Sequence, residues 1–225
     1  MKKLSALLLG AICTLTLWGC GDKKGEISQT SHTVTQSSQT GTDEDIDIKY
    51  PVLPEYSATI NEMIKQEALR VLDAYEIDVP EEERLSLEID YEIKLKTDDL
   101  ISIVFEGLGY IQGTAHPNNF FYTLNIDAKT AKKVRLADRV TVDDSFIQAV
   151  YQAARDIPEP EIYDAFMNSY EDKDALLQRL YDADGSDDWP QGTSAFSYFT
   201  PTSVGVSLPI GTFHVEIEVP TDKIV

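Results

Sequence analysis

Between Leu85 and Leu95 the chain places an apolar residue at every second position: Leu85, Leu87, Ile89, Tyr91, Ile93 and Leu95. Glu88, Asp90, Glu92 and Lys94 stand between them. An unbroken period of two specifies a strand with one face on a core and the other toward water. Asp98-Asp99 then makes a turn into Ile101, Ile103 and Phe105, which closes an antiparallel hairpin. A second apolar run, Phe120, Tyr122, Leu124 and Ile126, follows the polar loop Gly113-Thr114-Ala115-His116-Pro117-Asn118-Asn119. The stretch from Ser102 to Leu136 therefore reads as strand, loop, strand, with Asp127 to Lys132 as the next turn before Val134 and Leu136.

Elements on either side complete the plan. Ile46, Ile48, Tyr50 and Val52 alternate with polar neighbours, and Pro51 and Pro54 beside them suit an edge strand. Ser57 is placed to cap a helix whose stripe is Ile60, Met63, Ile64, Val71, Leu72 and Tyr75. Beyond the acidic break Pro80 to Glu83 and the sheet, a second helix is signalled from Asp143 or Asp144 and ended by Pro158 and Pro160. A third helical region runs from about 162 to 180 with an interruption near Glu171-Asp172. Apolar alternation returns at Phe196 and Tyr198, at Val204, Val206 and Leu208, and at Phe213, Val215, Ile217 and Val219. The expected class is α+β: antiparallel sheets with helices packed on one side, ordered as strand-helix-strands, then helices, then a C-terminal strand meander. The domain spans 46–225, divisible into halves 46–136 and 137–225.

The N-terminus sets the compartment. Lys2 and Lys3 precede an apolar run of roughly 14 residues, too short for the ~20 that span a bilayer as a helix. Residues 1–19 read as a signal peptide, and Leu17-Trp18-Gly19-Cys20 resembles the lipobox of bacterial lipoproteins, in which Cys20 is acylated; the alternative is ordinary secretion with Cys20 incidental. Cys13 leaves with the signal peptide, so the mature domain has no free thiol for disulfide, thiolate or nucleophile chemistry. Residues 20–45, rich in Ser, Thr, Gln, Gly and charge, read as a flexible tether. Loss of Lys2 and Lys3 takes the formal charge from −20 to −22. That balance argues against nucleic acid, whose phosphates need a basic surface, and steers cationic partners, with a solvated acidic surface that has no dedicated partner as the competing reading.

Few residues invite chemistry. His116 and His214, with the tether's His32, are the only histidines, and neither stands at metal-ligand or catalytic spacing. Asp182-Ala183-Asp184-Gly185-Ser186-Asp187-Asp188 suggests calcium, but counting from Asp182 puts Asp187 at position six and Thr193 at twelve, where an EF-hand needs Gly and Glu. It reads as an acidic loop. Neither Gly-x-Ser-x-Gly nor His-Glu-x-x-His occurs. No cofactor and no metal is expected, and the chain is expected not to be an enzyme.

Tyr50-Pro51 ahead of Ile60-Asn61, Gly107 to Tyr110, Gly113 to Asn118, and Asn125-Ile126-Asp127 together resemble the extracytoplasmic domain of RsiV-type anti-sigma factors. The N-terminal part of PdaC-type peptidoglycan deacetylases is similar. Phe199-Thr200, Val204 to Ser207 and His214 to Pro220 resemble the end of the same unit. Where that family has Thr-Gly-Lys, this chain has Thr130-Ala131-Lys132, so a different turn conformation is expected. The resemblance implies an extracytoplasmic binding or sensing module in a bacterial envelope, lipid-anchored to a membrane, for lysozyme or cell-wall material. Tyr110, His116, Asn118 and Asn119 are the expected contact residues, with a purely structural turn as the competing reading. The alternative functions are an accessory envelope-maintenance protein acting through another envelope protein, and a wall-active hydrolase.

Overall fold

The computed structural model describes residues 28–34, 45–74, 85–185 and 194–224. Residues 1–19, read from the sequence as a signal peptide, Cys20 and the acidic break at 80–83 lie outside them.

The first sheet is built from β1 (Ser28–Val34), β2 (Asp45–Val52), β3 (Leu85–Lys96), β4 (Leu100–Ile111), β5 (Asn118–Asp127) and β6 (Lys132–Lys133), hydrogen-bonded in that order. Helix α1 (Ala58–Leu69) connects β2 to β3. Helices α2 (Asp144–Ala153), α3 (Pro160–Ser169) and α4 (Lys173–Tyr181) follow, then a three-stranded meander of β7 (Phe196–Phe199), β8 (Ser203–Ile210) and β9 (Phe213–Pro220). The class is α+β, as the alternation predicts. Asp143 caps α2, Asp172 caps α4, and the interruption falls between α3 and α4 where Glu171-Asp172 stands. Among the described residues no helix is long and apolar enough to cross a membrane.

Three expectations are corrected. The first sheet is mixed, because β2 and β3 run parallel. The excursion through α1 brings the chain back along the same direction, which a tight hairpin would not do. Residues 28–34, read as part of a tether, form β1 and pair antiparallel with β2. Composition reports what a segment can bury, whereas strand addition needs only main-chain groups and a ready edge. Consequently β2 is an inner strand, not an edge.

The dry face of β3, with Ile101, Ile103 and Phe105 of β4 and Tyr122, Leu124 and Ile126 of β5, packs on α1 through Ile60, Ile64 and Ala68. Burying one such isoleucine stabilises by about 1.5–3 kcal/mol. Glu67, buried on the same helix, is compensated by Arg70 at 2.8 Å and by Lys133. Val204, Val206, Leu208, Val215, Ile217 and Val219 of the meander form a second core with α2, α3 and α4. The cores do not part at 136/137: Leu100, Val134 and Leu136 belong to the second, and Phe196 to the first.

Residues that carry the family resemblance have structural tasks. Asn61 clamps the strand-to-helix corner, accepting from the Leu53 N–H at 2.7 Å and donating to the Leu53 carbonyl at 2.9 Å. Asp127 accepts from the N–H groups of Lys129 and Thr130, which hold its carboxyl below the ordinary range. In that same turn Ala131 sits at φ +51, a left-handed conformation adopted without glycine. A Cβ there costs about 1 kcal/mol. Ala131→Gly should raise stability by about that amount in urea unfolding. An unchanged or lower midpoint would contradict it.

The two sheets meet through a buried polar seam. Ser102 donates to Asn125 at 2.7 Å and accepts from the Phe199 N–H at 2.9 Å, while Asn125 donates to the Ser197 carbonyl at 2.9 Å. Buried polar groups persist when paired in this way.

Candidate functional site

Tyr110, His116, Asn118 and Asn119 come together at the end of the β4–β5 hairpin, and all four are exposed. Asn118 and Asn119 are the first residues of β5, opposite Gly109 and Leu108, not part of the loop. Gly113 at φ +98 and Thr114 shape the turn, the latter donating from both N–H and Oγ1 to the Ile111 carbonyl at 3.1 and 2.8 Å. The His116 Nδ1 lies 3.3 Å from the Pro117 carbonyl. Leu108 and Tyr110 add exposed apolar surface nearby. None of the four expected residues borders the groove that follows.

That groove, of about 590 Å³, runs along β9. Lys94 and Tyr198 border it on one side, and Asp156, Ile157, Glu159 and Ile162 at the start of α3 border it on the other. The strand alternates across it: Val215 and Ile217 turn toward the helical core, while His214, Glu216 and Glu218 turn toward the first sheet. Phe213 stands exposed at one end.

The Glu218 carboxylate is held in place. Glu218 accepts from the Ser203 hydroxyl at 2.6 Å and from the Tyr198 hydroxyl at 3.3 Å. Crowding by the protein raises the Glu216 carboxyl above the ordinary range, against the opposing pull of Tyr198 and Lys94. Burial, then the nearby Glu216 and Glu218, push the Tyr198 phenol far above its usual value, so it remains a hydrogen-bond donor. Lys94 lies 5.1 Å from the centre of the Tyr198 ring and 2.5 Å from Glu92. Burial works against its charge, but Glu92, Glu216 and Glu218 outweigh that and hold it above the ordinary lysine range. The groove thus offers four carboxylates and one ammonium that is already paired.

His214 does not act from the groove. Its ring packs 5.7 Å from Phe121 and from Phe196, with Nδ1 3.0 Å from the Ser207 hydroxyl. Burial lowers it to about 4, so it is neutral at pH 7. Among the described residues no three His, Cys, Asp or Glu side chains gather as a metal ion would need.

Asp184, from the acidic loop, turns inward. Its carboxylate accepts from the Ser197 N–H at 2.7 Å, the Ser197 hydroxyl at 2.6 Å, the Leu136 N–H at 2.9 Å and the Thr123 hydroxyl at 3.2 Å. Burial raises it to about 6 in spite of those donors. Four donors around one carboxylate make it a structural anchor. Its spacing in the sequence carries no sign of this role, because only the fold brings Thr123, Leu136 and Ser197 around it. The groove's acids were visible as the alternation His214-Val215-Glu216-Ile217-Glu218, but their meeting with Lys94 and α3 was not.

No family model matches the chain, and no curated protein matches it. Two DUF3298 proteins are among the solved structures that the chain matches. A DUF3298 family protein from Pseudomonas aeruginosa PAO1 superposes with a TM-score of 0.52 at 16% identity, covering 88% of this chain and 90% of that one. A DUF3298 family member from Bacteroides fragilis NCTC 9343 gives 0.46 at 14% identity, over 87% and 91%. The first shares the fold of this chain.

Proposed function

We propose that this chain is a lipid-anchored extracytoplasmic binding module of a bacterial envelope that takes a basic protein such as lysozyme, or cell-wall material, as its ligand. The observation that carries the reading is the groove along β9, where Glu216, Glu218, Asp156 and Glu159 outnumber Lys94. A concave site with an excess of charge of one sign selects and steers an oppositely charged partner. The −22 charge left after signal-peptide removal and the Cys20 lipobox support the same reading. The exposed Tyr110–Asn119 hairpin end provides a second contact surface.

Titration of the full chain with lysozyme and with purified peptidoglycan tests it. Binding is expected at low ionic strength and should weaken about tenfold or more by 0.5 M salt if charge steering dominates. Absence of binding to both at low salt would refute the proposal. Palmitate labelling that Cys20→Ser abolishes is the expected result for the anchor.

A further inference from the structure

The groove has a property beyond its charge: its floor is a strand edge. Thr221 donates its N–H to the Thr202 carbonyl at 2.9 Å, in line with the β8–β9 register that pairs Ser203 with Pro220. Antiparallel pairs alternate between exchanging and not exchanging hydrogen bonds. The pairs at Val219, Ile217, Val215 and Phe213 therefore bond to β8, while those at His214, Glu216 and Glu218 do not. Proline occupies the non-bonded positions 209 and 220, where no N–H is required. The N–H and C=O groups of His214, Glu216 and Glu218 thus point away from β8, along the open side of β9, which is terminal in its sheet.

We propose that β9 accepts an extended basic segment of a partner protein as a fourth strand of the meander, resting on the binding-module reading above and naming its ligand chemistry. Main-chain bonds to His214, Glu216 and Glu218 hold the segment, and alternate side chains sort to two sides. Residues facing Glu216 and Glu218 are lysine or arginine at i and i+2, about 7 Å apart. The residues between them are apolar, because they lie beside Val215 and Ile217 with Ile157 and Ile162 across the groove. A second copy of the chain is the wrong occupant. Edge-to-edge pairing of two β9 strands would set Glu216 and Glu218 against the same carboxylates, and like charges directly opposite are destabilising.

The test uses the full chain in detergent and a ten-residue peptide alternating lysine and valine. Its controls are the same peptide N-methylated at every second residue, and a block peptide of five lysines then five valines. Both keep the charge and leave the protein untouched. The alternating peptide should bind about tenfold or more tighter than either control, and Glu216→Lys should weaken it about threefold or more. Equal binding of all three peptides overturns strand addition, as does a concentration-dependent dimer that the peptide fails to displace. Lysozyme and peptidoglycan are titrated in parallel. Their binding without peptide discrimination rejects only the strand, whereas failure of every ligand rejects the binding-module reading with it.

Discussion

Replacing Asp184 with alanine is expected to cost about 3–5 kcal/mol, enough to unfold a chain of ordinary stability on mild heating. The carboxylate serves two main-chain N–H groups, of Leu136 and Ser197, and two hydroxyls, of Thr123 and Ser197. The hydroxyls can rotate toward other acceptors, but the two N–H groups cannot, and each buried donor left alone costs about 1–3 kcal/mol. Asp184→Asn keeps the shape and one acceptor oxygen while turning an amide donor toward donors, so it should recover only part of the loss. Urea unfolding of the three proteins measures this. A loss under about 1 kcal/mol for the alanine variant would show that the network is not an anchor.

Acid should reveal two half-buried groups that oppose each other. His214 falls from an ordinary 6.5 to about 4, so between those values the unfolded chain takes up a proton that the folded one refuses, and stability is lost as pH falls. Asp184 rises from 3.8 to about 6, so between those values the folded chain is the better proton acceptor, and stability is gained as pH falls. Each contributes about 3 kcal/mol over its full range, with opposite sign. Between pH 6 and 4 the two nearly cancel. Removing the histidine exposes the balance: from pH 7 to 4.5, the stability of His214→Gln relative to the parent should improve by about 2–3 kcal/mol. Urea unfolding at the two pH values decides it, and a constant difference would mean that His214 is not buried in its neutral form.

Elements were legible where one local period dominated. The alternation from Leu85 to Ile93 and the caps at Ser57 and Asp143 carry their own geometry and stand where expected, while a bulge after Ile93 turns Leu95 to the second core. Pairing was less legible. The parallel contact of β2 with β3 depends on where α1 returns the chain, and β1 depends on an edge formed by residues farther on. The site was least legible of all. Tyr110, His116, Asn118 and Asn119 are neighbours in sequence and could be grouped by inspection. The groove combines Lys94, Glu159, Tyr198 and Glu216 from four separate elements. Asp184 looked like one acid among several, since only the fold shows that Ser197 and Leu136 converge on it.

The seam between the sheets also has a kinetic meaning. Ser102 and the Phe199 N–H are 97 positions apart, and Asn125 and Ser197 are 72 apart. Contacts this distant along the chain must await closure of long loops, while the β3–β4 hairpin can form from its own turn. Docking of the meander on the first sheet is then expected to be the late step of assembly. Bonds made after the rate-limiting barrier act as a latch: losing them leaves the folding rate nearly unchanged and speeds unfolding. The rate of coming apart sets how long the folded chain lasts, and Ser102 and Asn125 are expected to govern it.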